Sequence, residues 1–89
     1  MRKAAAYEAL VRELERWRLL PKQDLAAKVG RPASVHSVNV NGEDIAVEVA
    51  AHWHNEEGGP IRVTGIANGP SHWRLERLEE SIVVPFTSA

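Results

Sequence analysis

His52-Trp53-His54 is the segment whose residue types and spacing could do chemistry most directly. Residues two apart on a β-strand share a face, so both imidazoles could reach one metal ion. Glu48 lies four residues earlier with the same parity, and two histidines with a glutamate form a zinc donor set. His52, His54 and Glu48 are therefore a candidate metal site. The simpler alternative is two solvent-facing histidines that flank a core tryptophan.

The predicted strand pairing argues against that metal site. It places Arg62 directly beside His52, and a fixed cation there repels a metal ion. No carboxylate can be placed behind the two imidazoles to orient them. We therefore expect no metal and no other cofactor.

Other catalytic patterns have little support in the sequence. No serine stands in a G-x-S-x-G turn, and Gly58-Gly59 lacks the lysine and the helix of a phosphate-binding loop. The carboxylate pairs Glu56-Glu57 and Glu79-Glu80 fall in predicted turns, where solvation is their ordinary role. The chain contains no cysteine, which excludes thiol catalysis. We predict no catalytic residue and no enzymatic activity.

Composition and charge narrow the class of protein. The 89 residues are 44% hydrophobic and 26% charged, which is ordinary for a globular domain. No apolar run approaches the ~18 residues of a membrane span, and charges interrupt any signal-peptide core near the N-terminus. The net charge of −1 argues against non-specific binding to nucleic acid. We expect a cytoplasmic protein without a membrane or nucleic-acid partner.

The first third of the chain has helical spacing. Residues 3–20 are predicted to form a helix, which Pro21 ends. A short second helix over 21–29 closes at Gly30, a favourable C-terminal cap. The apolar stripe of the first helix is Tyr7, Leu10, Val11, Leu14 and Trp17.

Beyond the helices the hydrophobic period changes to 2, which predicts strands. Asn41-Gly42 is a strong signal for a two-residue hairpin loop. It places Val38 opposite Ile45, and the following turn places Trp53 opposite Ile61. Both pairings put the apolar residues on one face, so turn chemistry and pattern agree.

The last strands are predicted by the same logic. A turn at Asn68-Gly69-Pro70 would place Gly65 opposite Trp73, so that an aromatic side chain covers a strand glycine. The following isoleucine then points outward, and a bulge near Gly65 is expected to relieve this. A turn near 78–80 would lead to a fifth strand over 81–84.

Together these elements predict an α+β protein. An N-terminal helix and a short second helix pack on one face of a four- or five-stranded antiparallel meander sheet. The whole chain, 1–89, is expected to form a single domain, with a helical segment over 1–30 and the meander over 35–85.

The opposite face of this sheet is the predicted working surface. A single helical layer leaves it to solvent or to a partner, and it mixes charges, hydroxyls and imidazoles. We predict a non-catalytic protein-interaction module whose partner is another protein or a second copy of the chain. The predicted partner-binding residues are Glu48, His52, His54, Arg62, Thr64, His72 and Arg74.

Residues 21–40 support an alternative, a DNA-binding regulator. The run 23–30 resembles the first helix and turn glycine of repressor-type helix-turn-helix units. The segment departs from that pattern because Pro32 occupies the turn and because the would-be recognition helix alternates like a strand. The contact residues in this alternative are Lys28, Arg31 and Ser34.

A second likeness covers most of the chain. The motifs that carry it are Leu19-Leu20-Pro21 leading to Val29-Gly30, Val38-x-Val40-x-Gly42, Gly58-Gly59-x-Ile61-Arg62-Val63-x-Gly65 and Trp73-Arg74. In these the chain resembles small uncharacterised bacterial proteins that combine a helical start with a β-meander. The resemblance implies a bacterial α+β single domain and carries over no functional residue.

Overall fold

Two helices precede four strands along the chain. The structure, a computed structural model, describes residues 3–40, 42–68 and 77–85. The elements are α1 (Lys3–Arg18), α2 (Lys22–Ala27), β1 (Ser34–Val40), β2 (Glu43–Trp53), β3 (Ile61–Asn68) and β4 (Arg77–Val84). The predicted α+β class is confirmed, with four strands in the ranges described.

Helix α1 carries paired charges along its solvent side. Glu8 Oε1 accepts a hydrogen bond from Arg12 Nη2 at 3.1 Å, and Glu15 Oε1 accepts one from Arg18 Nη1 at 3.2 Å. Pairs one turn apart stabilise a helix by about 0.2–0.5 kcal/mol each. The helix ends at Arg18, because Pro21 prevents the preceding residue from taking helical geometry.

The side of α1 that faces the sheet is rotated from the predicted stripe. Leu10, Leu14 and Trp17 are buried as predicted, whereas Tyr7 is 51% exposed and Val11 is only half-buried. Small side chains let a helix lie close to a sheet, so a stripe chosen by large residues alone was wrong by part of a turn. The residues that complete the buried side are Ala5, Ala6, Ala9 and Glu13.

Glu13 is a buried carboxylate at a position that the sequence pattern assigns to the solvent side. The residue is 4% exposed, and its Oε1 accepts a hydrogen bond from Arg16 Nη1 at 3.0 Å. Its buried Oε2 has no hydrogen-bond partner among the described residues. Because an unpaired buried polar atom costs free energy, we expect an apolar side chain of this size to be more stable here than Glu13.

The short helix α2 fastens the chain to one end of the sheet. Pro21 is its N-cap, with φ −57° and ψ 150°, rather than its first helical residue. Leu25 is fully buried, and Gly30 turns the chain with φ +78°. Val29 forms a parallel bridge to Ala51, at the end of β2 that β1 does not pair.

The four strands form an antiparallel sheet in the order β1-β2-β3-β4. Val38 lies opposite Ile45 and Trp53 lies opposite Ile61, so both predicted registers are confirmed. Gly42 has φ +82°, the left-handed conformation that a tight hairpin of this type requires.

The fourth strand differs from the prediction. Glu80, rather than Trp73, lies opposite Gly65. Residues 78–80 belong to β4 and do not form a turn, and 81–84 continue the same strand rather than forming a fifth. Trp73 lies outside the described residues.

Gly65 is the place where α1 comes closest to the sheet. A Cβ at this position would lie 2.6 Å from Leu10 Cδ1 and 3.3 Å from Leu14 Cδ2. Only a glycine permits that approach. The strand β3 pairs with both neighbours without interruption through Gly65, so the predicted bulge was wrong.

Candidate interaction surface

The sheet has a covered face and an open face. Along β3, Ile61, Val63, Gly65 and Ala67 are buried on the side of the helices, while the residues that alternate with them are exposed or half-buried. The open face is defined here as the side of the sheet opposite α1. The residues it presents are Val35, Ser37, Asn39, Asp44, Ala46, Glu48, Ala50, His52, Arg62, Thr64, Ile66, Asn68, Arg77, Glu79, Ser81 and Val83.

Directly opposed residues form rows across the open face, and three adjacent rows have distinct chemistry. The basic row is His52, Arg62 and Val83. The central row is Ala50, Thr64 and Ser81. The acidic row is Val35, Glu48, Ile66 and Glu79. Neighbouring rows are two residues apart along each strand, or about 6.7 Å.

The central row has three small side chains, so it projects less from the sheet than its neighbours. The hydroxyls of Thr64 and Ser81 share a hydrogen bond of 3.1 Å. The longer side chains of Arg62 and Glu48 stand on either side of it. The row therefore forms the floor of a shallow trough that a second surface can approach closely.

Apolar side chains lie on both sides of this trough. Val35 is 62% exposed and Val83 is 42% exposed, and Ile66 is half-buried. Single exposed apolar residues are ordinary on a protein surface. Three on one sheet face provide apolar area whose removal from water is favourable.

Two charges of the open face form no ion pair with another described residue. In the ranges described, the Arg62 guanidinium and the Glu48 carboxylate take part in none of the ion pairs or hydrogen bonds. They lie two rows apart, about 13 Å along the strands, which is too far for a direct pair. Glu79 pairs with Arg77, at 3.7 Å, with both side chains more than half exposed.

The structure brings together part of the predicted partner-binding set. Glu48, His52, Arg62 and Thr64 lie on the open face. His54 lies beyond the end of β2, where its backbone N donates to Pro60 O at 2.9 Å and its buried Nδ1 has no hydrogen-bond partner in the part of the chain described. His72 and Arg74 lie outside the described residues.

Several residues of this surface are absent from the sequence-based set. Val35 shares the parity of Ser37, so the confirmed hairpin register already indicates it. Glu79, Ser81 and Val83 were missed because the predicted fourth strand begins too early. These residues are identified by the continuous pairing of β4 with β3. No short turn motif in the sequence indicates where that pairing begins.

The alternative metal site is not assembled. No group of three His, Cys, Asp or Glu side chains within the described residues lies close enough to hold a metal ion. Glu48 and His52 are four residues apart on one strand, or about 13 Å, whereas zinc ligands lie about 2 Å from the metal. Arg62 does lie directly opposite His52.

The alternative DNA-contact residues share a hollow between α2 and β1. Lys28, Arg31 and Ser34 line it together with Asp24, and Lys28 Nζ lies 4.9 Å from the ring centre of Trp17. The segment 34–40 is a strand rather than a recognition helix. The helix-turn-helix alternative was therefore wrong as a fold, because a strand and not a second helix follows the turn.

The chain matches no protein-family model, and comparisons with curated proteins and with solved structures gave no match either. Within the described ranges, neither helix has the length and apolar character needed to cross a membrane.

Proposed function

We propose that the protein is a non-catalytic interaction module of the cytoplasm that binds protein partners through the open face. The observation that carries the proposal is the sheet side opposite α1, which presents exposed valines beside charges that have no counterpart among the described residues. Val35 and Val83 are 62% and 42% exposed. Binding of a partner to this surface is favourable when the partner removes the valines from water and supplies charges of opposite sign.

Arg62 is the proposed anchor of the interface. It lies in the centre of the basic row, between His52 and Val83, where its alkyl stem can pack while its guanidinium reaches a partner. Arginine is enriched among residues that dominate protein–protein binding energies.

The sheet face is favoured over the β4 edge of the sheet. In the described sheet, strand β4 pairs only with β3, so its outer edge is a candidate for strand addition. That edge carries Arg77, Glu79 and Glu80, all exposed. Charged side chains on an edge strand disfavour backbone pairing with another chain.

Affinity capture with matched variants tests the proposal. Tagged wild-type protein, Arg62→Glu and Arg31→Glu are used as baits in extracts of the source cells, and bound proteins are identified by mass spectrometry. Both variants change the charge equally, but Arg31 lies in the loop before β1. We expect a specific partner, which can be the chain itself, to be lost with Arg62→Glu and kept with Arg31→Glu. Partners retained equally by all three baits would contradict a role for the open face.

A further inference from the structure

Resting on the proposed function, we propose that the partner of the open face is a second copy of this chain, packed face to face about a twofold axis along the central row. The axis would run across the strands through Ala50, Thr64 and Ser81. A rotation about it reverses the strand direction and keeps β2, β3 and β4 over their own counterparts, while β1, whose first residue lies opposite Val49, stays outside the overlap. The basic row of one copy then lies on the acidic row of the other.

Charge complementarity is the first argument for this occupant. On each strand the basic and acidic rows lie at equal distances on either side of the central row. The twofold therefore places Arg62 of one copy over Ile66 of the other, with Glu48 and Glu79 of the flanking strands on both sides. His52 is placed over Glu48. The interaction occurs twice, and it joins a cation and an anion that lie about 13 Å apart within a single copy.

The surface chemistry also suits close packing of two sheets. Packed sheets lie about 10 Å apart, with their strand directions within about 30°. The small central row lets the two faces meet at the axis. Val83 and Ile66 then lie between the charges, where they lose contact with water.

The contact area is that of a weak dimer. Three strands at about 4.8 Å overlap their counterparts over about seven residues at about 3.3 Å, which gives a footprint of about 14 by 23 Å, or about 330 Å² per copy. Two copies together reach about 700 Å², below the roughly 1,000 Å² of a stable specific interface and in the range of weak, transient association. We therefore expect the dimer to form only at tens of micromolar or higher concentration.

Charge-swap variants test the axis and the occupant together. Sedimentation velocity is measured from about 5 to about 500 μM, a range chosen around the affinity expected for an interface of this size, for wild type, for Arg62→Glu and for the double variant Glu48→Arg/Glu79→Arg. Each variant places like charges together at two symmetry-related sites. At about tenfold per repulsive site, each should weaken the dimer by about 100-fold.

An equimolar mixture of the two variants is the decisive sample. In a heterodimer, the glutamate introduced by Arg62→Glu in one chain meets the introduced arginines of the other. The unchanged Arg62 of the second chain meets the native glutamates of the first. We expect the mixture to dimerise to within about tenfold of the wild-type dissociation constant. Arg31→Glu and Glu56→Arg/Glu57→Arg, which alter the loop before β1 and the turn after β2, are matched controls expected to dimerise like wild type.

Circular dichroism melting first confirms that each variant is folded, and the two variants probe the same contact from opposite sides. A wild type that stays monomeric up to about 500 μM, the upper end of the range for so small an interface, would overturn the proposed dimer. An Arg62→Glu variant that dimerises normally, or a mixture that stays monomeric, would overturn it as well. A monomeric wild type that still captures another protein through Arg62 would leave the interaction-module proposal intact.

Discussion

Gly65→Ala is the perturbation that most directly tests how α1 sits on the sheet. The added methyl group would lie 2.6 Å from Leu10 Cδ1 and 3.3 Å from Leu14 Cδ2, well inside ordinary carbon contact distances of about 3.5–4.0 Å. Leu10 is fully buried and Leu14 is 4% exposed. Neither side chain can move aside without displacing others in the core.

The magnitude follows from two opposing terms. Inserting a methyl group into a packed core costs about 1–3 kcal/mol. Replacing glycine by alanine restricts the unfolded chain and returns about 0.4–1 kcal/mol. We expect Gly65→Ala to lower the free energy of unfolding by about 1–2 kcal/mol, which corresponds to a melting temperature lower by about 4–15 °C for a domain of this size.

A double-mutant cycle with Leu10→Ala separates this clash from other effects of the substitution. Leu10→Ala alone should cost about 2–5 kcal/mol. In that background the methyl group added by Gly65→Ala enters vacated space, so the substitution should become neutral or stabilising, with a favourable coupling of about 1–2 kcal/mol. Urea unfolding followed by circular dichroism provides the four free energies.

Gly42→Ala is the matched control for the cycle. Gly42 has φ +82° with nothing within 4 Å of a Cβ, so its substitution strains the backbone without touching α1. Its cost should add to that of Leu10→Ala within about 0.5 kcal/mol. A Gly65→Ala variant as stable as wild type, or one additive with Leu10→Ala, would refute the seating of α1 on β3.

Three further predictions concern the core and the helices, all measured by urea unfolding. Val47→Asp places an unpaired charge at a fully buried site and should unfold the chain, whereas Val83→Asp, at a site 42% exposed, should stay folded; equal stability would contradict the assignment of the two faces. Glu13→Leu removes a buried oxygen without a partner in the described residues and should stabilise by about 1 kcal/mol; a loss of stability would mean that this oxygen has a partner that stabilises it. Lys28→Met keeps the stem over Trp17 but removes the cation, and should cost about 0.5–1 kcal/mol, with no loss if the cation contributes nothing.

The first two hairpins could be predicted because their information is local. The Asn41-Gly42 turn fixes loop length, and the alternation of apolar residues independently fixes which face is buried. The two constraints agree at Val38 and Ile45, and the next pairing, Trp53 with Ile61, follows from the same agreement.

The fourth strand could not be placed because its signals conflict with its environment. A short turn after Asn68 is the simplest interpretation of the sequence, yet β4 begins only at Arg77. Glu79-Glu80 then suggests a turn, although both residues lie within the strand. Glu80 has the parity of the covered face, but it borders an open groove shared with Tyr7, so its charge remains solvated at the sheet edge.

The buried side of α1 depends on distance rather than hydropathy. A stripe drawn through Tyr7 and Val11 maximises apolar volume, but a helix that rests on Gly65 approaches closely and requires small residues such as Ala6 and Ala9. The glycine on β3 and the alanines on α1 are complementary, and that relation becomes visible only when the two elements are placed together.

The two faces of β3 distinguish what the fold requires from what a partner would use. On the covered face the size of the side chains follows the position of α1. Ile61 and Val63 are larger, and Gly65 leaves room where the helix comes closest. On the open face Arg62 lies directly across from His52. A cross-strand pair of charged residues is stabilising when the two charges differ in sign. A cation beside an imidazole has no such attraction, so the pairing with His52 does not explain why position 62 is an arginine. A partner that presents carboxylates would give that residue the counterpart that its own strand pair lacks.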